Sequence, residues 1–115
     1  MPVYHVSVTT YRNDGLASNG HTYSQNLRHY GPICAVLRHG PFRQGDLIAL
    51  VSRHGQRHLV TACDTIKRGS DVDIDTQSAR EFMGPKYRVI GRVDATATII
   101  SRAHRRKHHR LRMER

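Results

Sequence analysis

Four of the nine acidic residues in this 115-residue chain lie between positions 63 and 76, in the stretch C-D-T-I-K-R-G-S-D-V-D-I-D-T. They are Asp64, Asp71, Asp73 and Asp75, and they stand out because the chain has a formal net charge of +10. Grouped carboxylates can act as general acids or bases, or bind a metal ion. A calcium loop requires a Gly after its third acidic position and a Glu at its twelfth, and neither is in place. We therefore expect no metal and no cofactor.

Two of the four carboxylates have simple structural explanations. Asp75 precedes T-Q-S-A-R-E-F-M and then Gly84-Pro85, a pattern that predicts a short helix over about 76–83 with Asp75 as its N-cap. Asp71 follows a serine in a sequence typical of a turn. Asp64 and Asp73 remain as candidates for chemistry, although Asp73 could equally be an exposed loop carboxylate.

The elements that must position these residues are mostly short strands. Alternating or apolar runs rich in β-branched residues predict strands at 3–11, 33–37, 47–52 and 58–63, with one or two more within 87–100. We expect loops over the polar segment 12–32 and over the acidic segment that precedes the helix. About six short strands and one helix indicate a small, mainly β barrel or sandwich. The predicted organisation is one domain over 1–101 and a basic tail over 102–115.

The tail concentrates the positive charge. Residues 102–115 carry seven Lys or Arg residues and one Glu, and the rest of the chain has 12 basic and eight acidic residues. Such a segment is typical of an arm that binds a polyanion, namely nucleic acid, an acidic protein surface or an anionic wall polymer. A purely solubilising end is the alternative. The residues that we expect to contact a polyanion are Arg105, Arg106, Lys107, Arg110 and Arg112.

Other features limit the functional classes. No apolar run has the length of a membrane span, and the N-terminus lacks the pattern of a secretory signal. We therefore expect synthesis in the cytoplasm, with delivery by another route, such as a bacteriophage particle, if the protein acts outside. Two cysteines, Cys34 and Cys63, define no disulfide framework. Buried thiols are the favoured interpretation, and a single bridge remains open. No phosphate-binding glycine loop or esterase motif is present.

Several segments resemble, in order, a known family of barrels. The stretches are A-S-N-G-H-T-Y (17–23), P-F-R-Q-G-D-L-I-A-L (41–50), V-T-A-C-D-T (60–65) and I-K-R-G-S-D-V-D-I (66–74), followed by the predicted helix. They resemble motifs of the rare-lipoprotein-A-like and three-aspartate proteins over roughly residues 3–95. The resemblance implies a six-stranded double-psi β-barrel, a fold shared with the lytic transglycosylase A barrel and the first domain of expansins. One departure is D-T-I-K, where the family usually has a glycine-rich stretch.

The resemblance also implies roles for individual residues. Asp73 matches the general acid/base that cleaves the glycan strands of peptidoglycan, and Asp64 would position it or act electrostatically. Such an acid needs a raised pKa, which partial burial and a nearby carboxylate both provide. We expect further contacts to the glycan from groove residues and from cations that meet wall carboxylates; these are Ser18, Tyr23, His39, Lys67 and Arg68.

The expected function is therefore that of a peptidoglycan-cleaving, lytic transglycosylase-like domain, with a bacteriophage virion or lysis apparatus as its setting. Peptidoglycan glycan strands would be the partner. One alternative is a non-catalytic barrel that binds glycan or serves as a structural part of a larger assembly, such as a phage tail or capsid. A second alternative is a nucleic-acid-binding module that uses the basic tail, although the body of the chain has no recognisable reading motif.

Overall fold

The structure, a computed structural model, describes residues 2–11 and 15–102. Its elements are, in chain order, β1 (Tyr4–Tyr11), α1 (Tyr23–Tyr30), β2 (Ile33–Leu37), β3 (Leu47–Ser52), β4 (Arg57–Ile66), β5 (Val72–Asp75), α2 (Thr76–Met83), α3 (Tyr87–Ile90) and β6 (Val93–Ser101). The strands form a closed barrel in the order β1-β5-β2-β4-β3-β6. The predicted mainly β, six-stranded barrel is confirmed.

Two parallel pairs define the topology. Strand β1 pairs in parallel with β5, and β2 pairs in parallel with β4, whereas the other four pairings are antiparallel. Because parallel partners cannot be joined by a tight turn, long connections must cross the ends of other strands. The 67–71 connection from β4 to β5 passes the end of β2, and the connection from β1 to β2, described from residue 15 onward, passes the end of β5. Two interlocked crossings of this kind are the arrangement of a double-psi barrel.

The core lies inside the barrel and follows the two-residue period of the strands. Alternate apolar side chains point inward and are almost fully buried; they include Val6, Val8, Val36, Ile48, Leu50, Val60, Val72 and Ile74. An aromatic side chain lies at each end of this core. At one end, Phe42 contacts Tyr4 edge-to-face, with ring centroids 5.4 Å apart. At the other end, the rings of Phe82 in α2 and His58 have centroids 6.2 Å apart.

The expectation of an uninterrupted loop over 12–32 was wrong, because this segment contains α1. Thr22 and Gln25 form a capping box: the Gln25 N–H donates to Thr22 Oγ1 (3.1 Å), and the Thr22 N–H donates to Gln25 Oε1 (2.8 Å). Two of the orphan donors at the helix start are thereby satisfied. The helix ends at Gly31, which adopts a φ of 76° that favours glycine. The polar composition of the helix concealed it in the sequence.

The acidic segment was also wrongly expected to be a loop throughout. Strand β4 extends to Ile66, and β5 begins at Val72. Only 67–71 forms the connection, because the crossing over the end of β2 needs few residues. Strand β5 has just two apolar residues, Val72 and Ile74, and its pairing with β1 and β2 provides the stability that its composition lacks.

The C-terminal segment 87–100 holds one strand rather than two. Residues Tyr87–Ile90 form α3, a single helical turn that ends at Gly91, and β6 follows. The Tyr87 side chain is buried in the core cluster and thereby holds this helical turn against the barrel. The predicted helix over 76–83 is confirmed as α2, and so is its N-cap, since the Ser78 N–H donates to Asp75 Oδ2 at 3.0 Å.

We expect Asp75→Ala to lower the free energy of unfolding by about 2–4 kcal/mol. The substitution removes the helix cap and leaves the buried Ile33 N–H, which donates to Asp75 Oδ1 at 3.1 Å, without its acceptor. Chemical denaturation is the measurement, and Gln77→Ala, an exposed substitution on the same helix, is the control. Equal effects of the two substitutions would contradict the assigned role of Asp75.

Candidate functional site

The outer surface of the barrel carries a row of four residues that we call the carboxylate row: Thr9, Asp73, Ala35 and Asp64. Thr9 pairs with Asp73 across β1 and β5, Asp73 pairs with Ala35 across β5 and β2, and Ala35 pairs with Asp64 across β2 and β4. Paired residues of neighbouring strands point to the same face. With strands about 4.8 Å apart, the two aspartate backbones are separated by about 10 Å.

A β-bulge places Asp64 in this row. The β2–β4 register shifts between Cys34 and Ala35, so Cys34 pairs with Ala62 while Ala35 pairs with Asp64. Cys63 is the extra residue, and it lies in the bulge. Without that shift the two-residue period would continue from the inward Ala62, and Asp64 would face the core. The bulge therefore turns a carboxylate outward at the point where the crossing begins.

Asp64 is held by hydrogen bonds from the preceding excursion of the chain. Its Oδ1 accepts from the Ser18 N–H (2.9 Å), the Ser18 hydroxyl (2.6 Å) and the N–H of the next residue, Thr65 (2.8 Å). Ser18 Oγ also accepts from the Thr65 N–H at 3.2 Å. This carboxylate thus fastens the segment that follows β1 onto the end of β4.

Asp73 has a different environment. Its Oδ1 accepts from the Ser70 hydroxyl at 2.8 Å, and Ser70 Oγ lies 2.5 Å from Thr9 Oγ1. Burial raises the pKa of Asp73 above its ordinary value, and the Ser70 hydrogen bond and the Arg92 charge oppose that rise. Desolvation favours the neutral acid. Burial on this face therefore favours the protonated form of Asp73.

Tyr11 lies on the same face, beside this row. Its ring contacts the Tyr23 ring edge-to-face at 5.6 Å. Burial, followed by the nearby Cys34, Asp64 and Cys63, raises the pKa of the Tyr11 hydroxyl well above its usual range. Ala35, which lies between the two aspartates in the row, is only 1% exposed. Neighbouring side chains therefore cover the barrel surface between Asp64 and Asp73.

The other expected site residues occupy three places. Ser18 is beside Asp64, as described above. The Tyr23 hydroxyl accepts from the Thr76 N–H at 3.1 Å and so joins α1 to the start of α2. His39, Lys67 and Arg68 are exposed at the end of the barrel where β2 and β4 stop. Their contact with a glycan stays a prediction. The expected polyanion-binding residues of the tail lie outside the described residues; they are Arg105, Arg106, Lys107, Arg110 and Arg112.

The sequence reasoning missed four residues around the aspartates: Thr9, Tyr11, Ser70 and Arg92. The period of β1 could have revealed two of them, because Thr9 and Tyr11 alternate with the inward Val6 and Val8. Ser70 was visible only as part of a turn. Arg92 is 19 residues from Asp73 in the chain, and only the closure of the barrel brings it close.

The cysteines are free and buried, in agreement with the favoured interpretation. Burial raises the pKa of both thiols, to about 12 for Cys63, so neither has the thiolate character of a nucleophile. Within residues 2–11 and 15–102, no group of three or more His, Cys, Asp and Glu side chains could hold a metal ion. No helix in the described part of the chain is long and apolar enough to span a membrane.

We expect NMR titration to show a pKa for Asp73 above the ordinary value of about 3.9. Ser70→Ala and Arg92→Gln should each raise this pKa further, because each removes an interaction that favours the ionised form. The folded-state pKa lies above that of the unfolded chain, so Asp73 reduces stability as pH rises through this interval. Arg53→Gln, in the distant β3–β4 turn, is the control and should leave the titration unchanged. A lower pKa after Ser70→Ala would contradict the assignment.

Comparison with known structures supports the fold. The structure is similar to the crystal structure of cerato-platanin 3 from M. perniciosa, with a TM-score of 0.62 and 14% sequence identity. The similarity covers 90% of this chain and 99% of that chain. At this identity it shows a shared fold and nothing more specific. No family model matches the chain, and no curated protein matches it significantly, so membership of the rare-lipoprotein-A-like family is not shown. The chain has the six-stranded double-psi β-barrel fold.

Proposed function

We propose that the carboxylate row acts on the glycan strands of peptidoglycan and that Asp73 is its single general acid/base. The observation that carries this proposal is the environment of Asp73, which is partly buried on an outer face and has a raised pKa. An acid that works near neutral pH must retain its proton, and burial of a carboxyl group is the usual means. The resemblance of the D-V-D-I segment to the family's acid-bearing motif, together with the barrel fold, is consistent with a role on glycans.

The chemistry would be a lytic transglycosylation. Protonated Asp73 donates its proton to the glycosidic oxygen while the C1–O bond of N-acetylmuramic acid breaks. The 6-hydroxyl of the same sugar then attacks C1, and the Asp73 carboxylate accepts the proton of that hydroxyl. The products are a free 4-hydroxyl and a 1,6-anhydro sugar, and Asp73 regains its starting protonation state. No water is consumed.

The geometry of Asp64 favours a mechanism with one carboxylate. Hydrolases that use two carboxylates need both of them to face the scissile bond. Here Asp64 Oδ1 accepts three hydrogen bonds from Ser18 and Thr65, and the buried Ala35 lies between it and Asp73. Asp64 therefore acts as a positioning residue that fixes the segment over the row.

A barrel that binds glycan without cutting it is the second candidate. The observation that favours it is that Asp71 and Asp75, like Asp64, use their carboxylates for hydrogen bonds within the protein. Asp71 Oδ2 accepts from the Ser7 N–H at 2.9 Å, and Asp75 accepts from Ile33 and Ser78. If Asp73 and Ser70 play the same structural role, the face presents a rigid binding surface. In both cases we propose a bacteriophage particle or lysis apparatus as the means of delivery.

Incubation with purified peptidoglycan, followed by mass spectrometry of the soluble products, tests the enzyme. We expect 1,6-anhydro-muramyl products, and we expect Asp73→Asn to reduce their rate of formation by about 10²-fold or more, because the amide cannot transfer the proton. The same preparation should be checked for folding by its denaturation midpoint.

Asp71→Asn is the matched control, because it removes a neighbouring carboxylate on the same face and leaves Asp73 intact. It should retain most of the activity. Equal losses in the two variants would show that the substitutions act through structure. A folded wild-type protein that sediments with sacculi and yields no anhydro products would establish the binding module and exclude the enzyme.

A further inference from the structure

Five basic side chains, four of them Lys or Arg, occupy one end of the barrel, which we call the basic end: Arg38, His39, Arg43, Lys67 and Arg68. All five are exposed. They belong to two connections, 38–46 between β2 and β3 and 67–71 between β4 and β5. The sequence placed them far apart, and the barrel brings the two connections together.

Parallel pairing accounts for this proximity. Strands β2 and β4 run in the same direction and stop together, with Leu37 paired to Ile66. The Arg38 N–H then donates to the Ile66 carbonyl at 2.8 Å, and the Leu37 N–H donates to the Asp71 carbonyl at 3.1 Å. The 67–71 connection therefore passes directly over the end of β2, and it carries Lys67 and Arg68 past Arg38.

The basic end has little to neutralise it. Segments 38–45 and 65–70 contain no acidic residue. The two acids that follow are occupied: Asp46 is fully buried with Oδ2 3.2 Å from Arg102 Nη1, and Asp71 accepts from Ser7. Across the described residues, none of the five cationic side chains takes part in an ion pair. Their charges are therefore available to an external anion.

Arg102 attaches the basic tail to the same end. Its Nη2 donates to the Pro41 carbonyl at 3.1 Å, in addition to the ion pair of its Nη1 with Asp46. The chain thus leaves the barrel beside the connection that carries Arg38 and Arg43. The 13 residues that follow contain six more Lys or Arg and one Glu.

The opposite end of the barrel has mixed charge. The cations there are interspersed with acids: Glu81 of α2 lies 3.9 Å from His58, and Asp94 lies near the start of β6. The cations of this end are Arg53, Arg57, Arg80, Lys86, Arg88 and Arg92. The basic end differs from it because segments 38–45 and 65–70 contain no acidic residue. A cluster of cations without acidic neighbours in the chain produces a local potential that attracts a polyanion.

We propose that the basic end is a sequence-independent binding surface for the phosphate backbone of nucleic acid. Three of the five side chains are arginines, whose planar guanidinium matches phosphate oxygens in a bidentate manner. Duplex DNA offers about one negative charge per 1.7 Å, a density suited to cations in adjacent loops. The surface presents no Phe, Tyr or Trp among its five residues, and we expect it to contact phosphates rather than to read bases.

The test is fluorescence anisotropy of the full chain with a labelled DNA duplex across a series of salt concentrations. We expect the logarithm of the association constant to fall linearly with the logarithm of the salt concentration. The triple variant R38Q/K67Q/R68Q should reduce the magnitude of that slope by about 3, and it should weaken binding by tenfold or more at about 0.1 M salt.

The matched control is R28Q/R53Q/R57Q, which removes the same charge from exposed positions away from the basic end. It should preserve most of the slope. Equal losses in the two triple variants, or no binding by the wild type, would overturn the proposal. So would more effective competition by poly(glycerol phosphate) than by unlabelled DNA at equal phosphate concentration, which would assign the surface to a wall polymer. The proposed glycan cleavage depends on Asp73, which lies outside the basic end, and we expect Asp73→Asn to retain full DNA affinity. A failure of the DNA-binding test would therefore leave the proposal of glycan cleavage standing.

Discussion

The alternation D-V-D-I-D, formed by Asp71 and the four residues of β5, is the constraint on which the rest of the structure depends. It directs Val72 and Ile74 into the core and the three aspartates outward. Each carboxylate then meets a different part of the chain. Asp71 binds Ser7 of β1, Asp73 binds Ser70 of the crossing connection, and Asp75 binds the start of β2 and caps α2. A four-residue strand with only two apolar residues would be marginal alone, so these outward bonds fix its register between β1 and β2. A shift by one residue would turn Asp71 and Asp73 toward the core, which makes the register strongly specified.

The same arrangement gives the acids different hydrogen-bond partners. Carboxylates that accept bonds from backbone N–H groups, as Asp64, Asp71 and Asp75 do, serve to hold segments together. Asp73 accepts from one hydroxyl, and that hydroxyl is shared with Thr9. With weaker stabilisation of its anion, burial determines its pKa. The different environments of these carboxylates thus arise from the hydrogen-bond donors available at each position.

Most of the fold could be predicted from the sequence because four of the six strands have apolar or alternating patterns with clear turns between them. The helix α2 was visible through Asp75 and the Gly84-Pro85 stop. Three features were not. The helix α1 has a polar composition, β5 depends on its neighbours for pairing, and α3 has the composition of a strand but turns because Tyr87 is anchored in the core. At the site, Asp64 and Asp73 could be selected as a pair. Their partners Ser18, Ser70 and Arg92 could not, since the bulge and the barrel closure bring them together.

The position of Asp73 must be considered together with the charge of the whole molecule. In a chain with a net charge of +10, the surrounding cations favour the ionised form of any carboxyl group, and Arg92 does so directly. An exposed aspartate would therefore be a poor proton donor in this protein. Burial overcomes that effect at Asp73 because the barrel wall removes water from one side of the carboxyl group while the cations remain exposed and screened. The segregation of Lys67 and Arg68 onto the barrel end helps in the same way, since it places strong positive charges beyond the carboxylate row rather than within it. The crossing connection 67–71 thus shapes the surroundings of Asp73 in two ways, because it directs Lys67 and Arg68 to the exposed end of the barrel and places the buried Ser70 against the carboxyl group.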